Sequence, residues 1–149
     1  MIYTPMANKT INYYNNNAES YYDQTVNIDF EDLYEKFLKY IPDGGSIMDV
    51  GCASLLHLTE DKCDRFLTNL KRNLKPGGVI FISVKTGIET GCDEKGRYMQ
   101  NYTESSLNAL LTEQNQKDNK LRVIDTWLTK DSMKREVEWI NMLVMKGKA

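Results

Sequence analysis

A junction near the middle of the chain constrains its fold more than any other feature. Residues 46–52 (SIMDVGC) have the pattern of a strand that runs into a glycine turn, which is typical of the start of a nucleotide-type binding site. They continue directly into residues 53–59 (ASLLHLT), which have the pattern of the end of another strand followed by a helix start. Two motif ends are therefore fused, and the segment that ordinarily separates them is missing.

Apolar periodicity predicts helices on both sides of this junction. Residues 13–25 predict a helix with several tyrosines on one side, and residues 29–41 predict a second helix that starts at an Asp29 N-cap. A third helix is expected after Thr59 and ends at the sequence KPGG (75–78), and a fourth is expected over residues 103–113. The helices therefore alternate with candidate strands along most of the chain.

Three further strands are expected, over residues 79–84, 121–129 and 137–145. The first of them, VIFISV, is apolar almost throughout, which is typical of a strand buried on both faces in the parallel centre of an α/β sheet. The element order then predicts an α/β fold with a mostly parallel sheet and a terminal antiparallel pair. Lys85 and Glu89, which follow the apolar strand, are expected to be solvated.

Composition narrows the possible partners. The chain has 149 residues, suited to one domain, and a net charge of −2, which argues against a nucleic-acid or anionic-membrane surface. The three cysteines show no C-x-x-C spacing, so neither a disulfide framework nor a metal site is indicated. The N-terminal residues lack the apolar core of a signal peptide, and no run is long enough to span a membrane. We therefore expect a cytoplasmic protein with no membrane segment.

Several short motifs, in order, resemble class I S-adenosylmethionine-dependent methyltransferases of the small bacterial type. Residues 49–52 (DVGC) resemble the start of that family's D-x-G-x-G-x-G turn, and residues 53–58 resemble the end of its fourth strand. Residues 74–80 (LKPGGVI) resemble its L-x-P-G-G-x-[LIV] segment before the fifth strand. The tyrosine-rich residues 13–22 resemble its N-terminal helix, which closes over the cofactor, so residues 1–28 are expected to form a lid-like segment of a single domain spanning 1–149.

The chain also departs from the family. After Cys52 it lacks the later glycines, the acidic residue that holds the ribose and the adenine-contacting strand, roughly 60 residues of strand–helix units. This is the pattern of an internal deletion. Because the family's first and fourth strands are neighbours, residues 47–53 are expected to form one fused strand that pairs in parallel with residues 79–84. The result would be a shortened Rossmann-like methyltransferase fold of about four strands. Its order would be fused strand, fifth, seventh and sixth, and its exposed edge could pair with a second copy of the chain.

The resemblance implies a site. Cofactor contacts are expected from Asp49, Gly51, Cys52, Tyr14 and Tyr22, with S-adenosyl-L-methionine as the cofactor. Each of these residues also has a structural alternative. Asp49 could be an acid at a strand end in a solvated turn, Gly51 a turn glycine and Cys52 a packing residue. The tyrosines could serve lid packing alone.

The remaining candidates lie in two loops. His57, the only histidine, follows the predicted fused strand. The resemblance implies that its loop faces the methyl-transfer pocket. His57 is a weak candidate for a general base. The alternative is a residue at the helix entry with no chemical role. Arg97 and Tyr98 lie in the loop after the fifth strand and are candidate substrate contacts. The alternative is that this is an ordinary charged loop.

By resemblance, then, the function is S-adenosylmethionine-dependent methyl transfer to a small molecule. The alternative is a degenerate, non-catalytic domain that has lost cofactor binding and acts, if at all, as an interaction module through the exposed sheet edge. Methyl transfer requires alignment and desolvation more than a catalytic triad, so the lack of a triad does not separate the two.

Overall fold

The computed structural model describes residues 5–48, 54–116, 121–133 and 135–147. The predicted helices and the three later predicted strands are present, and two short strands occur that the sequence did not predict. The helices are α1 (Pro5–Asn16), α2 (Ala18–Thr25), α3 (Glu31–Leu38), α4 (Glu60–Asn73) and α5 (Glu104–Gln116), and a 3-10 turn spans Ser54–His57. The strands are β1 (Val79–Thr86), β2 (Gly91–Cys92), β3 (Tyr98–Met99), β4 (Leu121–Lys130) and β5 (Glu138–Lys146). Among the described residues no helix is both long and apolar enough to cross a membrane.

The tyrosine-rich segment forms two helices where the sequence predicted one. Asn17, at φ −124° and ψ 16°, separates α1 from α2, and its side chain bonds back to the Tyr13 carbonyl at 2.8 Å. This local bond competes with the helical ladder, as asparagine side chains commonly do. The predicted N-cap of α3 is wrong by one residue, because Phe30 and not Asp29 occupies that position. The Asp29 carboxylate nevertheless accepts a hydrogen bond from the Glu31 backbone N–H at 2.8 Å.

The prediction of a mostly parallel sheet is wrong. The main sheet has the order β1-β5-β4, and both pairings are antiparallel. The strands β2 and β3 form a second, two-stranded antiparallel sheet. The order of the three main strands is the one expected for the fifth, seventh and sixth. The error lies in the parallel centre, which depended on a fused strand beside β1.

That fused strand is not found in its described part. Ile47 and Met48 lie outside any strand and are 56% and 68% exposed. The remainder of the predicted strand, residues 49–53, lies outside the described residues. Among the described residues β1 pairs only with β5, and that neighbour is antiparallel.

The apolar run in β1 is explained by cover on both faces of the sheet. On one face Ile82 and Val84 enter the main core, which includes residues from the 3-10 turn, α4, α5, β4 and β5. On the other face the ring of Phe81 lies 6.2 Å from Phe37 of α3 and stacks on Trp127 of β4 at 6.0 Å. Burial on both faces makes a strand apolar throughout whichever way its neighbour runs, because successive side chains point to opposite faces.

The KPGG turn positions β1 against the end of β5. Gly77 has a φ of 77°, a conformation that favours glycine, and a Cβ on Gly78 would lie 2.7 Å from Leu74. The Gly77 N–H donates to the Lys146 carbonyl at 2.8 Å, while the Lys146 ammonium donates to the Lys71 and Leu74 carbonyls at the end of α4. This arrangement fixes the direction in which β1 leaves the helix, and hence where its far end lies.

Candidate functional site

Three segments far apart in sequence meet around His57, at the end of the 3-10 turn. The imidazole Nδ1 lies 2.6 Å from the Tyr98 carbonyl oxygen in β3, and Nε2 lies 3.0 Å from the Tyr14 hydroxyl in α1. Because a carbonyl can only accept, Nδ1 carries the hydrogen and the Tyr14 hydroxyl donates to Nε2. Both nitrogens of the neutral ring are therefore engaged.

Thr10 adds a further contact among the same three segments. The backbone N–H of Tyr98 donates to the Thr10 hydroxyl oxygen at 3.1 Å, and Thr10 is buried. Helix α1 is thus held to β3 through Thr10 and to the 3-10 turn through Tyr14. The Tyr98 hydroxyl points elsewhere, donating to Gln100 Oε1 at 2.7 Å. The N-terminal helix therefore covers this end of the molecule through defined polar contacts.

Arg97 lies beside these contacts and is held in position by an ion pair. Its Nε and Nη2 donate to one Asp93 carboxylate oxygen at 2.9 and 2.7 Å. Its guanidinium carbon lies 4.7 Å from the Tyr13 ring centre and 5.9 Å from that of Tyr14. Burial opposes the charge of Arg97, but its bonds to Asp93 and the nearby Tyr14 oxygen raise its pKa. The guanidinium thus stays charged against the aromatic face of α1.

A second arginine–aspartate pair lies in the β4–β5 connection; we call this pair and Asp93–Arg97 the two clamps. Arg135 donates to both oxygens of Asp131, at 2.8 and 2.6 Å, and Trp139 Nε1 donates to the same carboxylate at 2.9 Å. The Asp131 side chain is only 2% exposed. The hydrogen bonds from Arg135, followed by that from Trp139, hold the pKa of Asp131 far below its usual range.

Lys85, near the end of β1, lies over the indole ring of Trp139, which also bonds to Asp131. Its ammonium is 5.4 Å from the ring centre of Trp139, its partner in the β1–β5 register. Burial, then the charges of Arg135 and Arg97, lower the pKa of Lys85. The expectation that this lysine is merely solvated is not met, since the side chain is half-buried.

Burial also lowers the pKa of His57, with Arg97 and Lys85 acting in the same direction. The Tyr98 carbonyl and the Asp93 carboxylate oppose the shift without reversing it. At neutral pH the ring is therefore uncharged, with Nδ1 protonated. As a general base it would first have to release the Tyr14 hydroxyl, so in this arrangement it acts as a tether between α1 and β3.

The structure brings together four of the residues singled out from sequence: Tyr14, His57, Arg97 and Tyr98. Tyr22 is not among them, since its ring is 62% exposed on α2. The other three predicted cofactor contacts, at positions 49, 51 and 52, lie outside the described residues.

Sequence reasoning missed the two acids that hold the arginines, Asp93 and Asp131, and it also missed Arg135 and the partial burial of Lys85. Asp93–Arg97 and Asp131–Arg135 both have an i, i+4 spacing, but both lie in loops, where that spacing does not by itself indicate a contact. The pairing depends on loop conformations that the sequence pattern did not predict.

Surface depressions lie outside this cluster. One of about 320 Å³ lies between the starts of α4 and α5, beside Glu60, Asp61 and Asp64. Another of about 450 Å³ separates the α2–α3 connection from Ser132 and Met133. The acidic side chains beside the first depression disfavour an anionic ligand. The second depression adjoins the turn that contains Asp131. No grouping of metal-ligating side chains occurs in the described parts of the chain.

Comparison with known proteins gives a likeness at the level of the fold. No protein-family model matches the sequence, and no curated protein matches it. A solved structure that it resembles is the 1,6-didemethyltoxoflavin-N1-methyltransferase of Burkholderia thailandensis, with bound 1,6-didemethyltoxoflavin and S-adenosylhomocysteine. The TM-score is 0.52 and the identity 23%, over 67% of this chain and 42% of that enzyme. The chain shares part of a methyltransferase fold.

The two tyrosines predicted to contact the cofactor do not lie together. The Tyr14 hydroxyl is engaged by His57, and Tyr22 points into solvent. Neither depression is lined by these tyrosines. What the described residues do build is a cluster in which Tyr14, His57, Arg97 and Tyr98 lie together beneath helix α1.

Proposed function

We propose that this chain is a methyltransferase-like protein that binds a small-molecule methyl acceptor beside His57, under the N-terminal helices. The observation that supports this most is the Tyr14–His57–Tyr98 contact. It joins the segment that resembles the family's lid to the two loops expected to face the substrate. The likeness in fold to a methyltransferase supports the same reading.

The arrangement suits a group-transfer site because it can exclude water. Helix α1 is held to the 3-10 turn and to β3 by two polar contacts, and the Tyr13 ring centre lies 4.7 Å from the Arg97 guanidinium carbon. Methyl transfer gains mainly from aligning donor and acceptor and from desolvating them. A lid that is held by single hydrogen bonds can open to admit an acceptor and then close over it.

The methyl donor in this proposal is S-adenosyl-L-methionine, which would supply an electrophilic methyl group. Asp49, Gly51 and Cys52 remain the proposed contacts for it, by resemblance to the family's first motif. Because the later glycines and the ribose acid of that motif are lacking, we propose that the isolated chain binds the donor weakly. No catalytic step is assigned to a residue that the structure does not place.

Label transfer from S-adenosyl-[methyl-³H]methionine, supplied at millimolar concentration to offset weak binding, tests the proposal. The acceptors are a panel of small heteroaromatic and aromatic nucleophiles. We expect transfer by the wild-type chain and its loss in Asp49→Ala. Asp43→Ala, a change in the exposed turn before the junction, is the matched control. Transfer that is equal in all three proteins, or absent throughout, contradicts the proposal.

A non-catalytic role is the second candidate, and one observation favours it. Among the described residues the outer edge of β1 has no hydrogen-bonded neighbour, and Ile47 and Met48 are exposed. An unpaired strand edge is a template for another chain. This candidate places a second copy at that edge and expects no methyl transfer. Sedimentation analysis separates the two, because concentration-dependent association without label transfer supports only the interaction module.

A further inference from the structure

Helix α1 is attached to the rest of the molecule mainly by polar contacts. Thr10 is the only buried residue among residues 8–16 of this helix, and its hydroxyl accepts the 3.1 Å hydrogen bond from the Tyr98 N–H. The Tyr14 hydroxyl makes the second such contact, at 3.0 Å from His57 Nε2. The core cluster of the described residues is built mainly by the 3-10 turn, α4, α5 and the main sheet, and no residue of α1 belongs to it. Helix α1 can therefore separate from its neighbours without opening that core.

His57 contacts α1 through the one ring nitrogen that can take up a proton. Nδ1 already carries a hydrogen, which it donates to the Tyr98 carbonyl at 2.6 Å. An added proton must therefore enter at Nε2, where the Tyr14 hydroxyl donates to the neutral ring. Protonation turns Nε2 from an acceptor into a donor, so the bond from Tyr14 cannot persist in its present direction.

The surroundings of the ring disfavour the charged form. Arg97 directly precedes the residue whose carbonyl faces Nδ1, and its guanidinium carbon lies 5.9 Å from the Tyr14 ring centre. Its counter-ion Asp93 is 2.7 Å away from it. Burial lowers the pKa of His57 most, Arg97 and Lys85 add to that effect, and the backbone carbonyl and Asp93 oppose it. Release of α1 would expose the ring to water, in which the charged form is not penalised.

We propose that helix α1 is a pH-sensitive lid: protonation of His57 at Nε2 ends the hydrogen bond from Tyr14 and lets the helix open locally while the core stays folded. The closed form holds the neutral ring, and the open form takes up the proton. The second contact, between Thr10 and the Tyr98 N–H, contains no group that titrates between pH 5 and 8, so it holds the helix at either pH.

As a statement about helix α1, this inference needs neither a methyl donor nor an acceptor. As a statement about access to the proposed acceptor site beside His57, it rests on the proposed function. The experiment below contains no donor and no acceptor. Its failure and a failure of methyl transfer are therefore separate results.

The experiment is amide hydrogen exchange of the full chain, followed by ¹H–¹⁵N NMR at pH 5.5 and 7.5 and at several non-denaturing urea concentrations. Rates are converted to protection factors, which correct for the intrinsic effect of pH on exchange. We expect the hydrogen-bonded amides of α1 to be at least about tenfold less protected than those of α4. Their protection should also depend little on urea, because a local opening exposes little surface.

Lowering the pH from 7.5 to 5.5 should reduce the protection of α1 severalfold. The upper limit is about tenfold, because the released ring, with its ordinary pKa of 6.5, is about 90% protonated at pH 5.5. His57 is the only histidine of the chain, so no other imidazole contributes to this change.

Two variants separate the pH-sensitive contact from the constant one. His57→Gln cannot take up a proton, so the protection of α1 should agree within about twofold at the two pH values. Thr10→Val removes the acceptor of the Tyr98 N–H, so the protection of α1 should fall about fivefold at both pH values and keep its pH dependence. Dispersed spectra of each variant confirm that it folds.

The proposal is overturned by any of three results. These are protection and urea dependence of α1 equal to those of α4, protection of α1 in the wild type that is equal at the two pH values, and a pH dependence in His57→Gln equal to that of the wild type.

Discussion

Removing one oxygen atom from Tyr14 tests how helix α1 is held over His57. In Tyr14→Phe the edge contacts of the ring with Tyr21 and His57, at 5.4 and 5.5 Å, can remain. The 3.0 Å hydrogen bond to His57 Nε2 is lost, which leaves a half-buried acceptor unpaired. The expected loss in the free energy of unfolding is about 1 kcal/mol, the usual net value of such a bond.

The assay is urea unfolding followed by circular dichroism. With a slope of about 2 kcal/mol per molar urea, a loss of about 1 kcal/mol lowers the midpoint by about 0.5 M. Tyr22→Phe is the matched control, since that ring is 62% exposed and the change should fall within about 0.5 kcal/mol. Long-range ¹H–¹⁵N spectra of the wild type should also show His57 protonated on Nδ1. Equal midpoints for the two variants, or an Nε2-protonated ring, would refute the assigned contact.

Two predictions concern pH. Because burial lowers the pKa of His57 below its ordinary 6.5, the unfolded chain takes up a proton first, so stability should fall as pH drops below about 6.5. His57→Gln should remove that step from unfolding curves recorded between pH 5 and 8, roughly the range in which histidine titrates. Because the pKa of Asp131 is depressed from 3.8, its contribution is present above that pH and lost as pH falls below it. Asp131→Asn should lower the free energy of unfolding by about 1–3 kcal/mol at pH 7 and flatten the acid side of the stability–pH curve. Asp125→Asn removes an acid from an exposed ion pair at 3.7 Å and should lower that free energy by under about 1 kcal/mol. An acid side of that curve that is unchanged in Asp131→Asn would contradict the clamp.

The sequence predicted the type and order of most elements, because apolar periodicity and the KPGG turn are local signals. It failed on strand direction. The run from Val79 to Val84 shows that both faces of β1 are covered, by the main core and by Phe37 with Trp127. Cover on both faces does not determine which way the neighbouring strand runs, and β5 runs antiparallel.

The sequence singled out candidate residues only where family-like motifs mark them. His57, Arg97 and Tyr98 stand next to such motifs, and they do lie together with Tyr14. Lys85 was missed because a lysine after an apolar strand ordinarily reaches solvent. In the folded chain its ammonium lies 5.4 Å from the Trp139 ring centre, a contact that depends on the pairing of β1 with β5.

The donor side of the site decides between an active enzyme and a non-catalytic domain. A ribose-binding acid makes charged hydrogen bonds of about 1.5–3 kcal/mol each. Its loss, with that of the adenine wall, should weaken donor binding by at least two to three powers of ten, at about 1.4 kcal/mol for each. Calorimetric titration of the isolated chain with S-adenosylmethionine measures this directly. We predict no saturable heat below about millimolar concentration, the range that this weakening gives for micromolar binding. Saturable heat at tens of micromolar, abolished by Asp49→Ala, would contradict this account and show that the chain holds the donor by itself.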